Sequence, residues 1–214
     1  MKSLTRQKRF EEVKRMSDGL DRVFIIGCGT CATMAKTGGV EEVGAMKARL
    51  QEAGKLVTGA VVIPTACDEM TAVLLEENKK AVEDARCIVV MACALGVQRV
   101  NLYLSKPVLP ALDTLFIGME KSPGYFFEAC DQCGQCILGE TAGICPLTAC
   151  HKGLLNGPCG GTDKGKCEVD PEKDCAFTLI YERLREQGRL DLMRRYHPPR
   201  NHQVLPRPRE VRIS

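Results

Sequence analysis

Arg22-Val-Phe-Ile-Ile-Gly27-Cys28-Gly29-Thr30-Cys31-Ala32 is an unbroken apolar run that ends in a turn carrying glycine and cysteine. No polar side chain interrupts Val23 to Ile26, so the run reads as a strand buried on both faces of a parallel sheet. The pattern around it alternates. Gly39 to Ala53 has helical spacing, with Val40, Val43, Met46 and Leu50 on one face and Gly54 as a stop. Leu56 to Ile63 is a second strand. Thr71 to Ala85 is helical through Val73, Leu74, Leu75 and Val82, and Arg86 to Cys93 is a third strand. Leu95 to Leu104 is a short helix and Leu115 to Gly118 a fourth strand. Ahead of all these, Ser3 to Leu20 places Leu4, Phe10, Val13, Met16 and Leu20 at helical spacing. It predicts a surface helix with Ser3 as N-cap and Gly19 at its end.

Strands alternating with helices predict an α/β domain over residues 1–120. Its small parallel sheet is flanked by helices, in the Rossmann or flavodoxin manner. Cys28 follows the first strand, Cys67 the second, and Cys93 closes the third; Cys31 lies three residues after Cys28. In a parallel sheet these positions share the carboxyl edge, where open α/β folds bind ligands. Four thiolates there predict a cluster site. The competing view is four small core residues, because cysteine is among the most buried residue types. Cys87 falls inside the third strand and reads as packing. Gly27 to Ala32 also fits G-x-G-x-x-A, a dinucleotide fingerprint. The acidic residue that should close the following strand is missing, and only Asp68 lies beyond it.

Eight of the thirteen cysteines crowd between Cys130 and Cys175. Cys130, Cys133 and Cys136 form C-x2-C-x2-C, followed by Cys145-Pro146, Cys150, Cys159, Cys167 and Cys175. Thiolates two residues apart converge on one centre, and three of them with one remote thiolate is cubane iron–sulfur ligand logic. Zinc also takes four cysteines, usually from two separated pairs. A disulfide scaffold fits less well: the cysteine number is odd, and charges throughout Met1 to Met16 break any signal-peptide core. A reducing, cytoplasmic setting is expected. With Cys87 set aside, twelve thiolates suit three four-coordinate sites: three [4Fe–4S] clusters, or two clusters and one zinc. Spacing does not divide the eight into quartets. Of the histidines, His151 alone lies inside this region, and a hydrogen-bonding role suits it better than ligation.

The second domain is expected over residues 121–196, joined through Lys121 to Tyr125. It ends in a helical stretch from Asp174 to Tyr196 that presents Phe177, Ile180, Tyr181 and Leu184, with Gly188 interrupting before Leu190 and Met193, and with Cys175 on its first turn, where the helix dipole favours a thiolate. Its scarcity of large apolar residues makes metal binding a source of folding energy. Residues 197–214, rich in proline and arginine, read as an extended tail, either solvated or lying along a partner. With 30 basic and 27 acidic residues, net charge +3 and no tryptophan, nothing favours a nucleic-acid partner. No apolar run approaches the length of a membrane span.

Cys130-Asp-Gln-Cys-Gly-Gln-Cys136, Thr141-Ala-Gly-Ile-Cys-Pro146, Cys150-His-Lys-Gly-Leu-Leu-Asn-Gly-Pro-Cys-Gly-Gly161 and Gly165-Lys-Cys-Glu168 resemble the C-terminal domain associated with methylenetetrahydrofolate reductase in acetogenic bacteria and relatives. The half with Gly-Cys-Gly-Thr-Cys is similar to the small iron–sulfur subunit of those enzymes. The likeness runs to about Tyr196, and Leu-Asn-Gly-Pro-Cys-Gly-Gly is its most specific string. It implies an electron-transfer subunit, not catalytic alone, with two or three [4Fe–4S] clusters and a possible zinc. It further implies a partner subunit that carries the flavin (FMN) and reduces methylenetetrahydrofolate, and a separate electron-donor protein. The contrasting expectation is a zinc-stabilised interaction subunit without redox work.

Overall fold

The computed structural model describes residues 2–204, 208 and 209. Pro206, Arg207 and Arg212 of the expected tail lie outside the described residues. The chain divides into two units, residues 1–126 and 127–214.

The first unit is α/β. Its parallel sheet contains β2 (Arg22–Cys28), β3 (Leu56–Ile63), β4 (Cys87–Met91) and β5 (Val108–Pro110), in the order β3-β2-β4-β5. All pairings are parallel, with Ile26 beside Val61 and Val90. β2 is buried from Val23 onward and β4 throughout. This is why both read as continuous apolar runs. β3 is an edge strand and only half-buried.

Between strands the chain forms α2 (Cys31–Met34), α3 (Val40–Glu52), α4 (Met70–Glu77), α5 (Lys79–Asp84) and α6 (Ala94–Asn101). Val43, Met46 and Leu50 of α3 are buried against the sheet, whereas Val40 is 75% exposed at the helix start. Gly54, at φ +81°, follows α3 as expected. The single helix expected over Thr71 to Ala85 is two helices, interrupted at Asn78.

Two expectations are overturned. Ser3 to Gln7 is strand, not helix: β1 (Lys2–Gln7) pairs antiparallel with β6 (Leu112–Ser122), and the helix is only α1 (Phe10–Met16), with Arg9 at its N-cap. Ser3, Leu4 and Thr5 are all buried, so tertiary pairing overrides the helical spacing of Leu4 and Phe10. Leu115 to Gly118 is likewise not in the parallel sheet. It lies within β6, in the sheet β1-β6-β7, where β7 is Tyr125–Glu128. The fourth parallel strand is the three-residue β5, too short to show a period.

The second unit has little regular structure: α7 (Pro146–Ala149), α8 (Ala176–Glu186) and 3-10 turns at Leu190–Arg194 and His202–Val204. Its small core is Phe177, Ile180, Leu184 and Leu192, with Ala142, Ile144, Cys150, Leu154, Cys175 and Met193 packed around them. Tyr181, expected on the buried face, is 43% exposed.

Candidate metal centres

In the parallel sheet the strand order turns back at β2: β3 lies on one side, and β4 and β5 on the other. The gap between the carboxyl ends of β2 and β4 is therefore a topological switch point, the preferred ligand position of open α/β sheets. Cys28 is the last residue of β2 and Cys31 the first of α2. Cys67 lies in the loop after β3. Cys93 sits two residues past β4 as the N-cap of α6, rather than inside the strand. All four belong to the carboxyl edge. Cys67 reports their nearness: partial burial pushes its thiol up, and the negative charge of Cys93, Cys28, Asp68 and Cys31 pushes it further. The Thr30 hydroxyl lies 3.3 Å from Cys28 Sγ.

The backbone around this edge is tightly fitted. A Cβ on Gly27 would stand 2.5 Å from the Gly38 carbonyl oxygen, and one on Gly38 would overlap the Met91 carbonyl. Residues 35–39 thus press across the ends of β2 and β4. Cys28 N–H donates to Gly38 O at 2.9 Å, and Gly29 N–H to Ile63 O at 2.7 Å. These bonds consume amides that a phosphate would need, and α2 has only four residues to present a dipole. The glycines therefore serve close packing rather than a dinucleotide.

Cys87 stands at the opposite end of the sheet. It is fully buried beside Val23, and burial pushes its thiol up. It packs, as its position in the strand implies.

In the second unit, Cys130, Cys133 and Cys136 share one irregular loop with Gln132 and Gly134 at positive φ. Gln132 N–H donates to Cys130 Sγ at 3.3 Å. Cys145 and Cys150 cap the two ends of α7. Cys167 and Cys175 belong to one fold-back, made by a turn that pairs Lys166 with Asp163 and with Asp174: Cys167 N–H bonds Lys173 O at 2.9 Å, and Cys175 N–H bonds Gly165 O at 2.7 Å. Cys150, Cys159, Cys167 and Cys175 then line one cavity of about 20 Å³ together with Lys152, Glu168 and Phe177. This grouping is invisible in the spacing, because it depends on that turn and on the fold-back of α8.

Charge is arranged around this cavity. Glu168 is paired with Lys152 and accepts from the Cys159 thiol at 3.5 Å. The Lys152 ammonium holds the Glu168 carboxyl below its ordinary range, aided by Cys159. Burial pushes Cys175 up, but hydrogen bonds from Thr178, Phe177 and Thr162 outweigh it and leave the thiol low. Cys175 is the N-cap of α8, so the Phe177 and Thr178 donors are first-turn groups of a helix N-terminus, and the Thr162 hydroxyl comes from an earlier loop. His151 Nε2 faces Asp170 at 3.7 Å, a pairing rather than a ligand position.

No disulfide joins any of the thirteen cysteines. Among the described residues, no three His, Cys, Asp or Glu side chains stand at single-ion coordination spacing, and no helix is long and apolar enough to cross a membrane.

Residues 109–203 match a family described as methylene-tetrahydrofolate reductase C terminal. The match covers a little under half of the chain and contains all eight cysteines of the second unit, while β2, β3 and β4 lie outside it. No curated protein and no solved structure matched the chain.

Proposed function

We propose that this chain is the iron–sulfur electron-transfer subunit of a methylenetetrahydrofolate reductase complex, passing electrons from an external donor protein to flavin on a catalytic partner. The observation that carries the proposal is the gathering of Cys28, Cys31, Cys67 and Cys93 at the switch point, where each neighbouring thiol acts on Cys67. A cubane spreads its thiolates over four separate irons, so its donors stand farther apart than those of one tetrahedral ion. Four thiols at one sheet edge, near enough to act on Cys67 through their charge, suit such a donor set. The match of residues 109–203 supports the link to the reductase.

Bound iron–sulfur clusters would supply reversible one-electron transfer. The protein's part is to hold and tune them. Thiolates of Cys28, Cys31, Cys67 and Cys93 would form one site. Cys150, Cys159, Cys167 and Cys175 would form a second, leaving Cys130, Cys133, Cys136 and Cys145 as the third. The Gln132 amide on Cys130, the Gly161 amide 3.5 Å from Cys159 Sγ and the Lys152 ammonium place positive charge near sulfur. Such groups favour the more negative, reduced state.

A second reading applies to the cavity of Cys150, Cys159, Cys167 and Cys175. At about 20 Å³ it has room for one ion or water. A single structural zinc matches that volume, and the four thiols would have to draw together to ligate it.

The test is iron, acid-labile sulfide and zinc per chain on anaerobically purified protein, with EPR after reduction. About twelve irons with equal sulfide is expected for three cubanes, and about eight irons with one zinc for the second reading. Zinc alone, without sulfide, ends the electron-transfer proposal. Cys28→Ser and Cys133→Ser should each abolish a different EPR signal.

A further inference from the structure

The proline- and arginine-rich tail was expected to be solvated or to lie on a partner. Its first part instead folds back on its own unit. His197 and Asn156 exchange two hydrogen bonds, with His197 N–H to Asn156 Oδ1 at 2.8 Å and Asn156 Nδ2 to His197 O at 2.7 Å. Asn156 belongs to the Leu-Asn-Gly-Pro-Cys string that delivers Cys159. Arg195 and His197 flank the Glu140 carboxylate at 3.5 and 3.8 Å, and Glu140 lies between Cys136 and Cys145. Arg200 Nη1 donates to Asp131 Oδ2 at 2.7 Å, and Asn201 N–H to Gln135 Oε1 at 3.0 Å. Asp131 and Gln135 are the residues between the cysteines of C-x2-C-x2-C.

One short segment therefore grips three loops, each bearing cysteines, and it does so through residues that are not themselves sulfur ligands. We infer that the segment 195–201 is a positioning strap: it holds the loop of Cys130, Cys133 and Cys136 in one shape through Asp131 and Gln135. The loop has no regular secondary structure of its own, so its conformation needs an outside template. Arg200 supplies a fixed positive charge against the Asp131 carboxylate, a charge-assisted bond that ties the loop to the strap. The inference rests on the proposed metal role for its purpose, though not for its geometry.

The experiment uses the full chain, purified anaerobically, as wild type, Arg200→Ala, Asp131→Asn and the charge swap Arg200→Asp with Asp131→Arg. Hydrogen exchange of the His197 and Asn201 amides reads strap docking directly. It should rise about fivefold in Arg200→Ala and Asp131→Asn, the scale of one lost charged hydrogen bond at a partly exposed site, and return toward wild type in the swap. Exchange within α8 should not change, which separates a released strap from an unfolded unit. In the same proteins, one EPR signal should weaken, and a chelator should strip its metal faster, while the signal lost in Cys28→Ser persists. Unchanged exchange in Arg200→Ala, or a swap that restores neither exchange nor signal, overturns the strap. Wild-type protein without iron or zinc would end the proposed function alone, because amide exchange would still decide the strap.

Discussion

The hydroxyls of Thr5 and Thr37 meet at 2.6 Å in a buried contact that joins β1 to the loop closing the carboxyl edge of the parallel sheet. Thr37 is further held by its own bond to Ala32 O at 3.2 Å, and Gln7 Nε2 reaches Thr37 O at the same distance. The antiparallel sheet thus braces residues 35–39, and these press on the turn that carries Cys28 and Cys31. Thr37→Val strands the Thr5 hydroxyl in the interior. It should lower unfolding free energy by about 1–2 kcal/mol in chemical denaturation. A change of only a few tenths would show that β1 does not restrain this loop.

Gly38→Ala tests the same edge from the backbone side. The added methyl would overlap the Met91 carbonyl, which β4 holds in place. We expect a loss of about 2 kcal/mol or more; under the proposed metal role, iron at the sheet edge should fall and the second unit's metal content should not change. A fully stable Gly38→Ala protein with normal iron would show that this approach is looser than described.

Lys8 bonds both Asp113 Oδ1 at 2.6 Å and Glu12 Oε1 at 2.7 Å. The Lys8 hydrogen bond holds Asp113 below its ordinary carboxyl range. A depressed carboxyl contributes stability that is complete above its unfolded value, about 3.9, and is lost as pH falls through the lower folded value. Stability measured from pH 6 down to pH 2.5 should therefore fall less steeply in Asp113→Asn than in wild type below pH 4. Parallel curves would remove the pair from the acid response.

Cys87→Ser should retain the full wild-type metal content, because Cys87 lies at the amino end of the sheet. It should still cost about 1–3 kcal/mol for burying a hydroxyl among apolar neighbours. Cys87→Val, close in size and apolar, should recover most of that loss. Loss of iron in either variant would place Cys87 among the ligands.

The fully buried strands β2 and β4 were legible because burial on both faces leaves no polar position to interrupt them. The placement of Cys28, Cys67 and Cys93 followed from strand ends alone. β1 was not legible: Leu4 happens to stand at helical spacing from Phe10, and only pairing with β6 decides its state. β5 was too short to carry a pattern. In the second unit, spacing showed the cysteines but not which of them share a cavity, since Cys167 and Cys175 meet through backbone bonds around Gly165. Lys152 and Glu168 gave no signal, because a lysine or glutamate near a cysteine is ordinary until the fold turns it toward sulfur, and Arg200 gave none because its partner Asp131 is 69 residues away.

Cys87 opens β4 and Cys93 lies two residues beyond its end, with about 13 Å of β4 between Cys87 and Met91. Ten of the thirteen thiols are exposed or half-exposed, and under the proposed metal role a surplus thiol among them would invite wrong pairings. The sheet removes that risk by sequestration: once β4 is seated, the thirteenth thiol is out of reach of incoming metal and of oxidants alike. Under the proposed metal role, the end of the strand that a cysteine occupies would decide whether it is open to loading at all.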